Sequence, residues 1–240
     1  MTAPDHPDFA TRLEAAKLEA LAEFAAGAGH EINNPVATIV GRVQLLLAGE
    51  TDPARRQSLL TIGGQAYRIR DMIGDAMLFA RPPRPAPQAV DLSMAVREVA
   101  ARFAPEAEAA GCRLDFDAAG CIMIWADPVQ LRIVASSLIR NSLEAVGQGG
   151  AIAVHTAAPA GDSPAAVLTV RDDGPGLSAA DREHLFDPFY SGRSAGRGLG
   201  FGLAKAWRIV SLHGGSIVVD PPPGATFRVF WPVAPPSPAP

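Results

Sequence analysis

Residues Ala28 to Leu47 read AGHEINNPVATIVGRVQLLL, and along this stretch and just ahead of it apolar or small residues fall at Ala25, Ala28, Ile32, Pro35, Ile39, Val43 and Leu46. A second series follows at Leu59, Ile62, Ala66, Ile69, Ile73, Ala76 and Ala80. Both step by three or four, so each stretch forms a helix with one narrow apolar seam. Gly49 to Pro53, GETDP, supplies a stop, a turn and a proline near the next start, which makes the pair a helical hairpin. Two helices leave such seams open to water, whereas two hairpins share a core. The expectation is a homodimer through residues 11–80, closing a four-helix bundle.

Downstream, RPPRPAPQ (Arg81 to Gln88) puts four prolines into eight residues and reads as an extended linker over 81–90. Beyond it, over 91–232, the β-type runs CIMIWAD, AIAVHTA, AAVLTVRDD, GSIVVD and ATFRVFWP alternate with helical stretches around Val96, Leu138 and Ala206. That is the pattern of an α/β sandwich, too irregular for a doubly wound parallel sheet. Residues 1–10 and the tail 233–240 read as disordered.

Composition narrows the function classes. The 240 residues are 48% apolar and carry a net charge of −4 without a basic block, which argues against nucleic acid as a partner. No run approaches the roughly 18 apolar residues of a membrane span, and the N-terminus lacks the pattern of a signal peptide. A cytoplasmic location is expected, with Cys112 and Cys121 as reduced thiols.

Four stretches carry chemistry. On the first helix His30 and Asn34 lie one turn apart, on a small or polar stripe with Gly27, Ala37 and Gly41 that is off the seam. Pro35 cannot donate to the carbonyl of Glu31, so the backbone is loosened beside a potential nucleophile, His30, and a potential base, Glu31. VRDDGPGL (Val170 to Leu177) ends an apolar strand, where the carboxylate of Asp172 is suited to accept from an exocyclic amine; a simple hairpin turn is the alternative. In GRGLGFGLAKAWRIV, Gly196, Gly198, Gly200 and Gly202 open onto a helix, an arrangement suited to phosphate. Between these two, FDPFYSGRSAG (Phe186 to Gly196) has the makings of a mobile lid. Finally, Ala126 to Val146 reads as an amphipathic helix whose Asn141 and Glu144 share a polar face, either to hold Mg²⁺ or simply to be solvated.

Taken together, these motifs resemble the histidine protein kinases of two-component signalling. HEINNP is similar to the family's H box, SSLIRNSLEA to its N box, DDGPG to G1, FDPFYSGR to the F box and GLGFGLA to G2. The resemblance implies a dimerisation and phosphotransfer hairpin followed by an ATP-binding domain of the type shared with Hsp90, gyrase and MutL. It implies His30 as phosphoacceptor, Glu31 as its general base and Asn34 as a residue that orients water to dephosphorylate a partner response regulator. It further implies ATP and Mg²⁺ as cofactors, with Asn141 as the metal ligand. Asp172 would read adenine, and Gly174, Gly176, Phe189, Arg193, Gly198, Gly200 and Gly202 would complete the nucleotide site. The implied partner is the receiver domain of a response regulator.

Three positions depart from the family pattern. Ser137 stands where an asparagine is frequent, Ser142 where alanine usually follows the metal ligand, and Arg193 where lysine often ends the F box. The two serines imply weaker metal binding. Only 29 residues precede His30, which points either to the core of a longer protein or to a kinase that takes its signal from a separate sensor partner. Two other readings remain open here, a degenerate kinase acting as a scaffold and an ATPase without phosphotransfer.

Overall fold

The computed structural model describes residues 9–160, 164–190, 200–220 and 223–234; in the first helix, side chains are described at Ala20, Glu23, Gly27, Gly29 and from Glu31 onward. The chain divides into two compact units, Met1–Pro83 and Arg84–Pro240.

The first unit is a pair of helices, α1 (Phe9–Gly49) and α2 (Pro53–Ala80). Asp52 caps α2 by accepting from the backbone N–H of Arg55 at 2.9 Å, and Pro53 occupies the first helical position, where its missing N–H costs nothing. Helix α1 continues through Pro35 without interruption. It begins at Phe9, so Phe9 and Ala10 are helical although the sequence placed them in a disordered terminus; residues 1–8 and 235–240 of the expected disordered ends lie outside the described residues.

Burial divides the two apolar series into rows. Val36, at 4% exposure, and Val43 are buried within the hairpin against a stretch of α2 that carries Gly63 and Ala66. At Gly63 a Cβ would lie 3.2 Å from the Val43 side chain, so the helices approach as closely as a glycine allows. Ile39, Leu45 and Leu46 on α1, and Leu60, Ile62 and Ile69 on α2, are exposed, Leu46 to 60%. Val36 was not among the expected seam residues, because a stripe of small and β-branched residues meets inside the hairpin and the larger side chains face outward.

The second unit is built on a five-stranded sheet in the order β2-β4-β5-β7-β6: Arg113–Ala118, Ala151–Ala157, Ala165–Asp172, Ala225–Pro232 and Ser216–Val219. β2 and β4 are parallel and every other neighbouring pair is antiparallel. A two-stranded ribbon of β1 (Gln88–Asp91) and β3 (Met123–Ala126) stands apart from it. Strand and helix burial follow their own periods: Ile152, Val154, Leu168, Val170, Phe227 and Val229 from the strands join one core with residues of α3 (Leu92–Ala109), α4 (Pro128–Val146) and α6 (Gly202–Leu212). A short α5 (Ala179–Glu183) follows β5. The β1 and β2 strands were not among the expected runs. β1 opens inside the proline-rich stretch, and β2 (RLDFDA) alternates charged with apolar residues, so neither forms a continuous apolar run.

Asp91 and Asp127 cap α3 and α4. Burial opposes ionisation of both carboxyls, but accepted hydrogen bonds outweigh it, from the Cys121 thiol and then backbone N–H groups at Asp91 and from backbone N–H groups at Asp127, and hold both below the ordinary carboxylate range. Because the folded values are lowered, this stabilisation is fully present above about pH 4 and is lost as pH falls through the folded values. The contribution of these two caps, measured by urea unfolding of the chain against Asp91→Asn and Asp127→Asn, is therefore expected to be constant from pH 7 down to about pH 4 and to decline below it. A second expectation concerns the core: Leu138→Ala, at a fully buried position on α4, lowers unfolding free energy by about 2–5 kcal/mol. Met94→Ala, at an exposed position on α3, leaves the urea midpoint unchanged.

Candidate functional site

Asp172 is the last residue of β5 and lies between Ile152 of β4 and Ala225 of β7. At 2% exposure its carboxylate needs internal donors. Oδ1 accepts from the N–H of Gly174 at 3.1 Å and of Ala225 at 3.4 Å, and Oδ2 accepts from the Ser142 hydroxyl at 2.9 Å. A carboxylate has about four acceptor positions. Among the described residues three are used, and the one remaining is on Oδ2, suited to one further N–H donor such as an exocyclic amine.

The turn after β5 keeps this group in place. Asp173 accepts from the N–H of Ala151 at 2.8 Å, tying the turn to the start of β4. Gly174 and Gly176 follow. Opposite them Gly224 has φ +70°, and a Cβ there would come within 2.1 Å of the Asp172 carbonyl oxygen, so only glycine fits. Sequence reading passed over Gly224, whose signal was the turn PPPGAT ahead of β7. Ser142, fully buried on α4 next to Asn141, directs its hydroxyl to Asp172, a contact that the sequence does not signal. Ser137 is buried one turn earlier, and Asn141 is half-buried on the same helix.

The stretch after the turn is anchored at both of its described ends. Ser178 caps α5 in a reciprocal arrangement, its Oγ donating to Asp181 Oδ2 at 2.6 Å and accepting from the Asp181 N–H at 3.0 Å. The Tyr190 hydroxyl donates to the other Asp181 oxygen at 2.8 Å, and these hydroxyl donors, Ser178 first, lower the Asp181 pKa. Asp187 contacts His184 at 2.7 Å and raises the pKa of its ring. Phe189 has φ 66°, an uncommon backbone for an aromatic residue, and its ring meets Phe201 edge-on at 4.8 Å. At Gly200, with φ +72°, a Cβ would collide with the backbone of Tyr190, so the chain flanking residues 191–199 closes on itself. Gly202 begins α6. Arg193 and Gly198 lie outside the described residues.

On the first unit, His30 is a residue of α1 whose side chain is outside the described set. Glu31 and Asn34 are exposed. At Gly29 a Cβ would lie 2.8 Å from the Met77 sulfur, so α2 packs closely on the residue preceding His30.

Residues 20–84 match the His Kinase A (phospho-acceptor) domain family, and residues 126–235 match the family of histidine kinase-, DNA gyrase B- and HSP90-like ATPases. The chain belongs to the histidine protein kinases. Sensor histidine kinase ZraS of Escherichia coli (strain K12) is 33% identical over 224 residues, covering 90% of this chain and 46% of that protein. This kinase chain thus spans less than half the length of that curated relative. Among solved structures, full-length ShkA in complex with AMPPNP superposes with a TM-score of 0.76 at 24% identity, over 89% of this chain and 46% of that one. Histidine kinase ThkA in complex with response regulator protein TrrA gives 0.66 at 21% identity, over 98% of this chain and 69% of that one. These two likenesses concern the fold.

For this kinase, Ser142→Ala removes the donor that orients Asp172 Oδ2. A hydrogen bond to a charged group is worth about 1.5–3 kcal/mol, so ATP affinity measured by calorimetry is expected to fall about tenfold or more. Unchanged affinity would show that the hydroxyl does not orient the carboxylate for nucleotide.

Proposed function

We propose that the chain is an ATP-dependent histidine autokinase that phosphorylates His30 and passes the phosphoryl group to an aspartate on the receiver domain of a response regulator. The observation that carries this reading is one chain joining a phospho-acceptor hairpin to an ATPase-type unit whose buried Asp172 keeps one acceptor position for a base amine. Residues 11–80 form the dimerising and phosphotransfer part and the proline-rich stretch from 81 the linker, which ends at β1 rather than at residue 90, so that the ATP-binding part runs from 88 to 232. The reading as a degenerate scaffold has no support in relatives such as ZraS and the signal transduction histidine-protein kinase AtoS, which are named as kinases.

In the first step a ring nitrogen of His30 attacks the γ-phosphorus of ATP. The N–P bond forms as the bond to the β,γ-bridging oxygen breaks, ADP leaves, and the ring proton passes to Glu31. In the second step an aspartate oxygen of the receiver domain takes the phosphoryl group as the N–P bond breaks. Asn34, one turn from His30, orients water for hydrolysis of the aspartyl phosphate on the regulator, in which water adds to phosphorus as the aspartyl O–P bond breaks and inorganic phosphate leaves. Catalysis of this kind depends on positioning and charge neutralisation. Asp172 fixes the base, with Gly174 and Gly176 beside it; Phe189, Arg193, Gly198, Gly200 and Gly202 serve the phosphate side. The Asn141 amide oxygen suits Mg²⁺, which takes few protein ligands alongside phosphate and water and neutralises phosphate charge when bound.

The hairpin works as a homodimer. Ile39 and Leu46 on α1, and Ile62 and Ile69 on α2, are exposed and seven residues apart on their helices, so each helix carries an outward apolar stripe that a second hairpin would cover. A receiver domain as partner agrees with the fold likeness to a kinase in complex with a response regulator protein. No helix among the described residues is long and apolar enough to cross a membrane, and a cytoplasmic site of action agrees with the unpaired Cys112 and Cys121.

With Mg²⁺ and γ-labelled ATP, the chain is expected to acquire an acid-labile, base-stable label that is absent from His30→Ala; no label despite nucleotide binding would overturn the reading. Sedimentation tests the dimer: the chain sediments as a dimer and Leu46→Asp as a monomer, whereas a monomeric wild-type chain would contradict the shared bundle.

A further inference from the structure

Asp127 stands between β3 and α4 and does more than a helix cap requires. Its Oδ1 accepts from the N–H groups of Val129 at 2.8 Å and Gln130 at 3.1 Å, which satisfies the start of α4. The second oxygen, Oδ2, accepts at 3.0 Å from the N–H of Ala86, 41 residues earlier and two residues ahead of β1. Ala86 lies between Pro85 and Pro87, and of residues 82–87 only Arg84 and Ala86 have an N–H to give. The grip therefore falls on one of two possible points in the proline-rich connection.

The clamp is itself held from behind. The N–H of Asp127 donates at 3.0 Å to Nε2 of His213, at the C-terminal end of α6. The other ring nitrogen, Nδ1, donates to the Ile209 carbonyl at 2.9 Å, so both bonds together specify the neutral Nδ1–H ring. His213 is 7% exposed and packs edge-on against Trp231, with ring centroids 5.0 Å apart. The β1–β3 ribbon ends at the same place, with Gln88 paired to Ala126. Strand pairing and a charged acceptor thus act in sequence on consecutive parts of the connection.

We propose that Asp127 is a positioning residue for phosphotransfer: its Oδ2 holds the connection at Ala86, fixing where the tether to the phospho-acceptor hairpin leaves the ATP-binding unit and thereby the approach of bound ATP to His30. This role rests on the kinase reading above. A tether released for two further residues samples more directions, and fewer of them bring the reacting groups together.

Two substitutions break the clamp from opposite sides. Asp127→Ser keeps a capping oxygen for α4 and removes the second acceptor. Ala86→Pro removes the donor and leaves Asp127 and α4 untouched. In the wild-type chain the Ala86 amide should exchange with deuterium more slowly than in an unstructured peptide, and Asp127→Ser should abolish that protection. At saturating ATP, both variants should label His30 about fivefold or more slowly, with unchanged ATP affinity, and the double variant should be no slower than the singles. An unprotected Ala86 amide in the wild-type chain, an unchanged labelling rate in both variants, or a loss explained by weaker ATP binding would overturn the role. A wild-type chain with a protected Ala86 amide and no label on His30 would instead overturn the kinase reading, and the positioning role with it.

Discussion

The buried carboxylate of Asp172 is the interaction on which the ATP-binding unit turns. One side chain at the end of β5 receives Ser142 of α4, the N–H of Gly174 in the following turn and the N–H of Ala225 at the start of β7. A carboxylate this deeply buried is tolerable only when its lone pairs are met, so the positions of α4, the turn and β7 are set by the same group that would read the base. Gly224 then becomes obligatory, because the return of the chain into β7 brings its backbone against the Asp172 carbonyl. Fold and function share one constraint here.

The hairpin follows a different logic. Its internal contact uses Val36, Val43, Gly63 and Ala66, which are small enough to bring α1 and α2 together, while Ile39, Leu46, Ile62 and Ile69 remain outside. Apolar side chains of that size, repeated along both helices, amount to half of a core. The proposed phosphotransfer adds a demand of its own, since it requires that ATP on another compact unit reach His30. The connection between the units is proline-rich, and its grip by Asp127 limits the directions that it can take.

Much of this was legible in the sequence, and the reasons differ by element. The helical hairpin could be read because its period is maintained over many residues and its caps, Asp52 and Pro53, follow local rules. Strands β4, β5 and β7 could be read because they are apolar runs bounded by turn residues, whereas β1 and β2 are short or charged and are strands only because a neighbour pairs with them. Asp172 stood out by its place at the end of an apolar strand. Ser142 did not, because helix periodicity gives the face of a serine but not the buried acceptor that it meets from another element. The second bond of Asp127 was hidden for the same reason: a cap is a local signal, and its reach back to Ala86 is not.

The central claim is that Asp172 keeps one acceptor position for an exocyclic amine. Titration calorimetry with ATP and with inosine triphosphate, which carries an oxygen in place of that amine, tests it on the intact chain. The wild-type chain should prefer ATP by at least about tenfold, and Asp172→Asn should lose most of that preference. Equal binding of the two nucleotides by the wild-type chain, or an undiminished preference in Asp172→Asn, would contradict the account.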